Sequence, residues 1–489
     1  MKKSKLHLVL GTWLIRTFHL KWIVAIIFFL SWNDSIAQND SLRTFTLAEF
    51  LTIVKTYHPL AKQADIVTDK AKAELLIARG GFDPMIYSDY DRKVFYGNNY
   101  YSFFGSEIKI PGWYGIEVKA GYDYTYGSNI NPSDYIPKTG LAYVGISVPL
   151  LKGLFSDKKR ADLQKAKLFV SASEQQRILM LNDLLLDAVK GYYEWTLAYR
   201  NKRIIEDALL LSKQRFEATT QATLLGDRAP IDSTEAMAQY QTRQYEFNQA
   251  NLDFQKASFE LSNFLWTQNE QPYLLPNGVV PEFNDAAVFA QSVKLKPITE
   301  LEQTIQTTHP NVLMYQLKIK QLEVERKLKI ENLKPTLNAS YNMLSKDVST
   351  WSNPEWSMFK DYYKFGVKFS MPLTFAQGRG DVRIANLKIR EAKYDLELKR
   401  NELNNKLRSY YTELVVLKEQ VNLYKATVTN YEKLYTGEVM RFNAGESNVF
   451  LVNTRENKWL EAQQKLAEVQ LKYFKAEAAL KWVMMQLND

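Results

Sequence analysis

The sequence predicts a duplicated, mainly α-helical fold joined to a membrane β-barrel, and three observations predict it. Two very long stretches carry apolar residues at a 3.5-residue period, two tyrosine- and glycine-rich zones alternate apolar with polar residues, and the punctuation of the two halves recurs at a fixed distance.

The clearest long stretch runs 56 residues from Asp381 to Thr436 without Gly or Pro. Val382, Ile389, Leu396, Leu403, Tyr410, Leu417, Tyr424 and Tyr431 fall at steps of seven, and Leu407, Leu414, Val421, Val428 and Tyr435 form a second set. That spacing is the period of a supercoiled helix, which packs its seam on neighbouring helices. At about 1.5 Å per residue the stretch reaches roughly 80 to 90 Å, more than a compact domain needs. Residues 154–225 read the same way, with Ile178, Leu181, Leu185, Ala188, Tyr192, Trp195 and Tyr199 in 3–4 steps.

The duplication is read from punctuation. His58-Pro59 and His309-Pro310 lie 251 residues apart, and so do Pro84 and Pro335. The first repeat covers 38–266, with short helices in 46–83, a β segment in 84–150 and a helical hairpin in 154–266. An aperiodic connector, 267–297, precedes the second repeat, 298–489, with short helices in 298–334, a β hairpin in 335–373 and a helical hairpin in 379–487. The hairpin turns fall at Leu225-Gly226-Asp227-Arg228 and Ala444-Gly445-Glu446.

In the β zones Ile116, Val118, Ala120, Tyr122, Tyr124 and Tyr126 alternate with polar or small residues, as do Tyr363, Phe365, Val367, Phe369 and Met371. Such alternation marks strands with one apolar face. Eleven tyrosines between Pro84 and Pro149 suit interfacial girdles, and Glu117, Lys119, Lys364 and Lys368 on the other face suit a wet lumen. Ile116, Val118, Tyr122, Tyr124, Phe365, Val367 and Phe369 are therefore expected to face lipid. Two hairpins supply four strands, too few to close a barrel whose edges must be paired in hydrocarbon. The chain is expected to oligomerise.

Composition excludes much else. The 489 residues include no cysteine, which removes disulfides, thiolate zinc sites and thiol nucleophiles. Residues 1–37 read as a secretory signal peptide: Lys2, Lys3, Lys5, Arg16 and Lys21 precede the apolar run Trp22–Leu30 and the small-residue triplet Ser35-Ile36-Ala37. Cleavage there lowers the net charge from +9 to +5, which carries no nucleic-acid signal. Later segments contain no window apolar enough for a membrane helix. His58 and His309 precede prolines at helix starts, where capping or packing is expected in place of metal binding. No nucleotide loop, nucleophile motif or His–carboxylate pair appears, so neither catalysis nor a cofactor is expected.

Taken together, the duplicated order of elements, the His-Pro pairs, the Pro-Leu pairs at 149 and 372 and the two hairpin tips resemble the TolC family of outer-membrane efflux channels over nearly all the mature chain. The resemblance implies a homotrimer with a twelve-stranded barrel, four strands per chain, in outer-membrane lipid and a long coiled-coil tunnel in the periplasm. It also implies docking to a periplasmic adaptor (membrane fusion) protein and an inner-membrane transporter. Leu225, Gly226, Asp227, Arg228, Ala444, Gly445 and Glu446 are carried over as adaptor-docking tips, and Asp232, Arg441 and Phe442 as periplasmic gate residues. The plain alternative for each is a solvated charge or a turn glycine. The family's small apolar tip is altered here by Asp227-Arg228 and Glu446-Ser447. Its acidic ring after the second tip is unmatched, with Leu451 and Thr454 in that region and Glu456 nearby. The function implied is a passive conduit for small molecules. The same channel serving protein secretion or metal efflux, and a soluble periplasmic coiled-coil adaptor or scaffold, are the alternatives.

Overall fold

The structure, a computed structural model, describes residues 43–131, 136–276, 278–282, 296–345 and 361–487. The signal peptide and much of the connector lie outside the described residues. In a small separate unit, strand β1 (Arg43–Phe45) pairs with β6 (Val279–Pro281).

In the main unit, helices α1 (Leu47–Tyr57) and α2 (Pro59–Gly80) lead to strands β2 (Met85–Phe95), β3 (Asn98–Pro111), β4 (Glu117–Tyr126) and β5 (Leu141–Pro149). Helices α3 (Lys158–Leu224) and α4 (Pro230–Ser262) follow. The second half gives α5 (Ile298–Thr308), α6 (Pro310–Glu331), β7 (Thr336–Ser345), β8 (Tyr363–Ser370), α7 (Ala376–Asn443) and α8 (Val449–Val483).

Local chemistry sets the helix starts. Thr46 and Glu49 form a reciprocal capping box on α1. Asp157 accepts from the Arg160 backbone N–H at 2.8 Å to cap α3, and Asn448 accepts from Leu451 at 2.9 Å to cap α8. His58 and His309 do the same for α2 and α6: each Nδ1 accepts a backbone N–H two residues on, at 3.1 Å, with proline at the first helical position. Both imidazoles are buried. Burial lowers the pKa of each, to about 4 at His309, where Lys399 and Lys406 add to it. Capping is thus their structural role.

Helices α3 and α7 have 67 and 68 residues, about 100 Å each. Helix α3 packs along α2, α4, α6 and α8, and α7 along α6 and α8. The predicted seam of α7 is used as expected: Ile389, Leu396, Leu403 and Leu417 are buried, with Leu407, Leu414 and Val421 beside them. Much of it joins Val312 of α6 and Val469, Tyr473, Phe474 and Leu480 of α8 in one apolar core. No helix among the described residues is long and apolar enough to cross a membrane.

The strands form one antiparallel sheet in the order β2-β3-β4-β5-β7-β8. The mainly helical class with a membrane sheet holds, but the expected four strands per chain become six. The 84–150 segment holds two hairpins, not one. Ser88, Ser102 and Ser106 sit on the face that is apolar elsewhere, which blurs the alternation that marks a strand. The extra turn is Tyr96-Gly97, with φ of 49° and 74°, the left-handed pair that a tight hairpin requires.

Register places Val118, Tyr122 and Tyr124 on one face with Ile146, Tyr341, Phe365, Val367 and Phe369. Ile116 lies just before β4, in the turn where its carbonyl accepts from Gly112 at 2.7 Å. The other face carries Asp89, Glu107, Lys119, Asp123, Lys364 and Lys368.

Candidate functional site

The two helical hairpins end in turns of the same geometry. At the first, Leu225 N–H donates to Gln221 O at 3.1 Å, Gly226 to Thr223 at 3.1 Å and Asp227 to Ala222 at 2.9 Å. At the second, Ala444 donates to Met440 at 3.0 Å, Gly445 to Phe442 at 3.1 Å and Glu446 to Arg441 at 2.9 Å. Both are Schellman closures, in which a left-handed residue lets the chain satisfy the last carbonyls. Gly226 and Gly445 each have φ of +81°, and a Cβ there would meet nothing within 4 Å. Backbone conformation alone demands glycine.

Leu225, Asp227, Ala444 and Glu446 are exposed. So are Leu224 (75 %), Ile231 (69 %), Met440 (64 %) and Phe450 (61 %), apolar side chains near the turns that the motif comparison did not single out.

Arg228 and Phe442 join the two tips. The Arg228 guanidinium donates to the Phe442 carbonyl at 2.9 Å and lies 3.7 Å from the centroid of its ring. A cation there also suits the negative end of α7. Arg441 stays within its own tip, 3.7 Å from Glu438. Glu438 is buried, accepts from Ser447 Oγ at 2.6 Å and lies 3.8 Å from Arg455. Asp232 occupies the first turn of α4, where its charge suits the helix dipole. Its side chain makes no hydrogen bond or ion pair among the described residues. The structure therefore brings Arg228 to Phe442 and leaves Asp232 and Arg441 apart.

Farther from the tips lies a cluster that motif comparison missed. Glu456 of α8 is fully buried and pairs with Arg215 of α3, while Arg243 of α4 stands 3.8 Å away. Arg215 also donates to Asn453 at 2.8 Å and to the Tyr435 hydroxyl at 3.0 Å, and Arg243 donates to Asn457. Three helices are thereby tied by charge inside the coiled coil. The signal was present: Glu456 interrupts the buried stripe Val449, Val452, Leu460, and Arg243 falls one heptad after buried Ala236. Glu456, the acid nearest the unmatched ring, points into the helical packing.

Two apolar stripes remain uncovered. Ile231, Tyr245, Leu252 and Phe259 of α4 recur at multiples of seven and are exposed, as are Ile384, Leu387, Tyr394 and Leu398 of α7.

Comparison with known proteins agrees with this architecture. Residues 301–484 match the family model of the outer membrane efflux protein. The CmeC outer-membrane channel of Campylobacter jejuni superposes with TM-score 0.61 at 15 % identity, over 90 % of this chain and 85 % of that one. The outer-membrane channel OprN gives 0.63 at 14 % over 90 % of each chain. CusC gives 0.62 at 14 % over 92 % and 95 %. A search of curated protein sequences finds no match. The solved structures named are outer-membrane channels, and the fold they share with this chain is the one expected of the channel reading. The second repeat thus matches the outer membrane efflux protein family model, and the chain as a whole shares the fold of these outer-membrane channels.

Proposed function

We propose that the channel is the outer-membrane member of a tripartite export system: a homotrimer that conducts small molecules passively from an inner-membrane transporter, through a periplasmic adaptor, to the outside. The observation that carries this reading is the pair of duplicated tip turns, exposed and surrounded by Leu224, Leu225, Ile231, Met440 and Phe450 at the ends of the two longest helices. An adaptor with an apolar, small-residue tip of its own would bury those side chains. The uncovered stripes on α4 and α7 support a ring of copies, since exposed heptad positions seek a neighbouring helix. Energy comes from the transporter, and the channel needs no cofactor.

Opening is a swing of the α7–α8 pair away from the α3–α4 pair at the tips. The Arg228–Phe442 contact and the Arg215–Glu456 pair resist it, because both cross between the two helical pairs. Asp232 and Arg441 act at the same end, toward neighbouring copies. The reading is tested in planar bilayers with the purified oligomer. Asp232→Ala, Arg441→Ala and Arg228→Ala are each expected to raise single-channel conductance. Unchanged conductance in all three removes the gate from this end of the tunnel. Efflux assays in a strain lacking the gene then read the cargo: restored resistance to small toxic molecules supports the proposal, and restored export of a protein or metal alone rejects it.

A further inference from the structure

We propose that the trimer closes an eighteen-stranded barrel, with six strands from each chain, so that the membrane pore is wider than twelve strands allow. The inference rests on the trimeric reading above and concerns the hairpin β2–β3.

That hairpin is built as barrel wall. Strands β2 and β3 have 11 and 14 residues, enough for a tilted strand to cross the hydrocarbon. Register carries the apolar face into the hairpin, interrupted by the pairs Ser88–Ser106 and Arg92–Ser102: Ile86 and Tyr90 of β2 stand opposite Ile108 and Phe104 of β3, which stand opposite Ala120 and Tyr124 of β4. The charged face continues as well, with Asp89 opposite Gly105 and Glu107 opposite Gly121. A hairpin lying outside the barrel would have no reason to keep both faces in phase with the wall.

Its turns also sit at the correct ends. The β3–β4 turn is seated where the helices begin: Trp113 lies 5.4 Å from Phe82, Tyr114 lies 5.8 Å from the Arg160 guanidinium, and a Cβ on Gly115 would stand 2.8 Å from Pro149. Chain direction then makes β2 run away from the helices and β8 run back toward them. These two edge strands, exposed along most of their length, are antiparallel and need partners in lipid. A second copy supplies β8 to β2.

Widths agree. At a tilt of about 40° and a spacing of about 4.8 Å, six strands cover roughly 37 Å of circumference and four only about 25 Å. The four helices abreast, α2-α3-α6-α7, cover about 32 to 40 Å at 8 to 10 Å apiece. Six strands therefore continue the tunnel without a constriction, and the backbone diameter becomes about 36 Å instead of about 24 Å.

The absence of cysteine makes a direct test clean. Cysteines replace Met85, Tyr87 or Asp89 on β2, each combined with one replacing Lys364, Lys368 or Ser370 on β8. A control set pairs the same β8 positions with Glu117, Lys119 or Asp123 on β4. The purified full-length oligomer is oxidised and run on denaturing gels. Most of the chain moving to covalent dimers and trimers through a β2–β8 pair is the expected result. A trimer that bonds through β4, or forms no β2–β8 bond anywhere in the series, overturns the eighteen strands and leaves the trimer standing. Recovery as a monomer overturns the trimeric reading itself.

Discussion

The hydroxyl of Tyr143 on β5 donates to the carboxylate of Glu107 on β3 at 2.8 Å, across the strand that lies between them. The crossing exists because Gly121 of β4 faces both residues in the ladder. A Cβ on Gly121 would stand 2.6 Å from the Tyr143 ring and hydroxyl. Glu107 is also 3.0 Å from Lys109 and 3.9 Å from Lys119, so the charged face is cross-linked over three strands. Gly121→Ala is therefore expected to destabilise the oligomer by about 1–3 kcal/mol through overpacking. The heat-resistance of the proposed trimer on denaturing gels measures it. The double substitution Gly121→Ala, Tyr143→Ala should lose less than the two single losses combined; simple additivity would show that the ring and the glycine are independent.

The histidine caps predict a pH response. Both imidazoles are held neutral by burial, His309 with a pKa of about 4, whereas an unfolded histidine titrates near 6.5. Between those values the unfolded chain binds more protons, so stability rises with pH there and is lost on acidification from about 6.5 toward 4. His309→Asn keeps a side-chain acceptor at the cap and removes the titration, and should flatten that part of the melting-temperature curve. His309→Ala should cost about 1 kcal/mol more than Asn at neutral pH. Equal slopes for wild type and Asn would discard the assignment.

At the tips the two glycines separate conformation from contact. Gly226→Ala and Gly445→Ala each place a side chain at φ of +81° in open space, at a cost of about 1–2 kcal/mol confined to one turn. Asparagine, which tolerates that region, should be milder. The expected outcome is a trimer with near-normal melting and reduced efflux, with the alanine variants worse than the asparagine ones. Equal efflux in all four variants would mean that turn geometry is not what the proposed adaptor reads.

Glu456 faces two nearly buried arginines, Arg215 and Arg243, and Arg243 also pairs with Glu246 at the edge of the cluster. Removing one partner of such a set leaves charge uncompensated in the packing, typically a loss of 3–5 kcal/mol. Glu456→Gln should lower the melting temperature of the oligomer and also raise its conductance, since the same pair ties α3 to α8. A variant that melts early with wild-type conductance would assign the cluster to stability alone.

Much of the fold was legible because it is periodic. A heptad repeated from Val382 to Tyr431 declares a long supercoiled helix, and the burial of Ile389, Leu396, Leu403 and Leu417 follows from that repeat. His58 and His309, with their prolines, declare helix starts for the same local reason. Gly226 and Gly445 were legible because only a left-handed residue closes a helix this way. What the chain alone determined, then, is whatever depends on neighbours a few residues apart: helix lengths, caps, turns and the strands with clean alternation. The tertiary structure decided the rest. Serines on the apolar face hid β2 and β3 until cross-strand register set their faces. Arg228 became a partner of Phe442, and Glu456 of Arg215, only when helices from the two repeats met. Such pairings join residues more than two hundred positions apart, and local periodicity carries no information about which distant charges a packed interior will bring together.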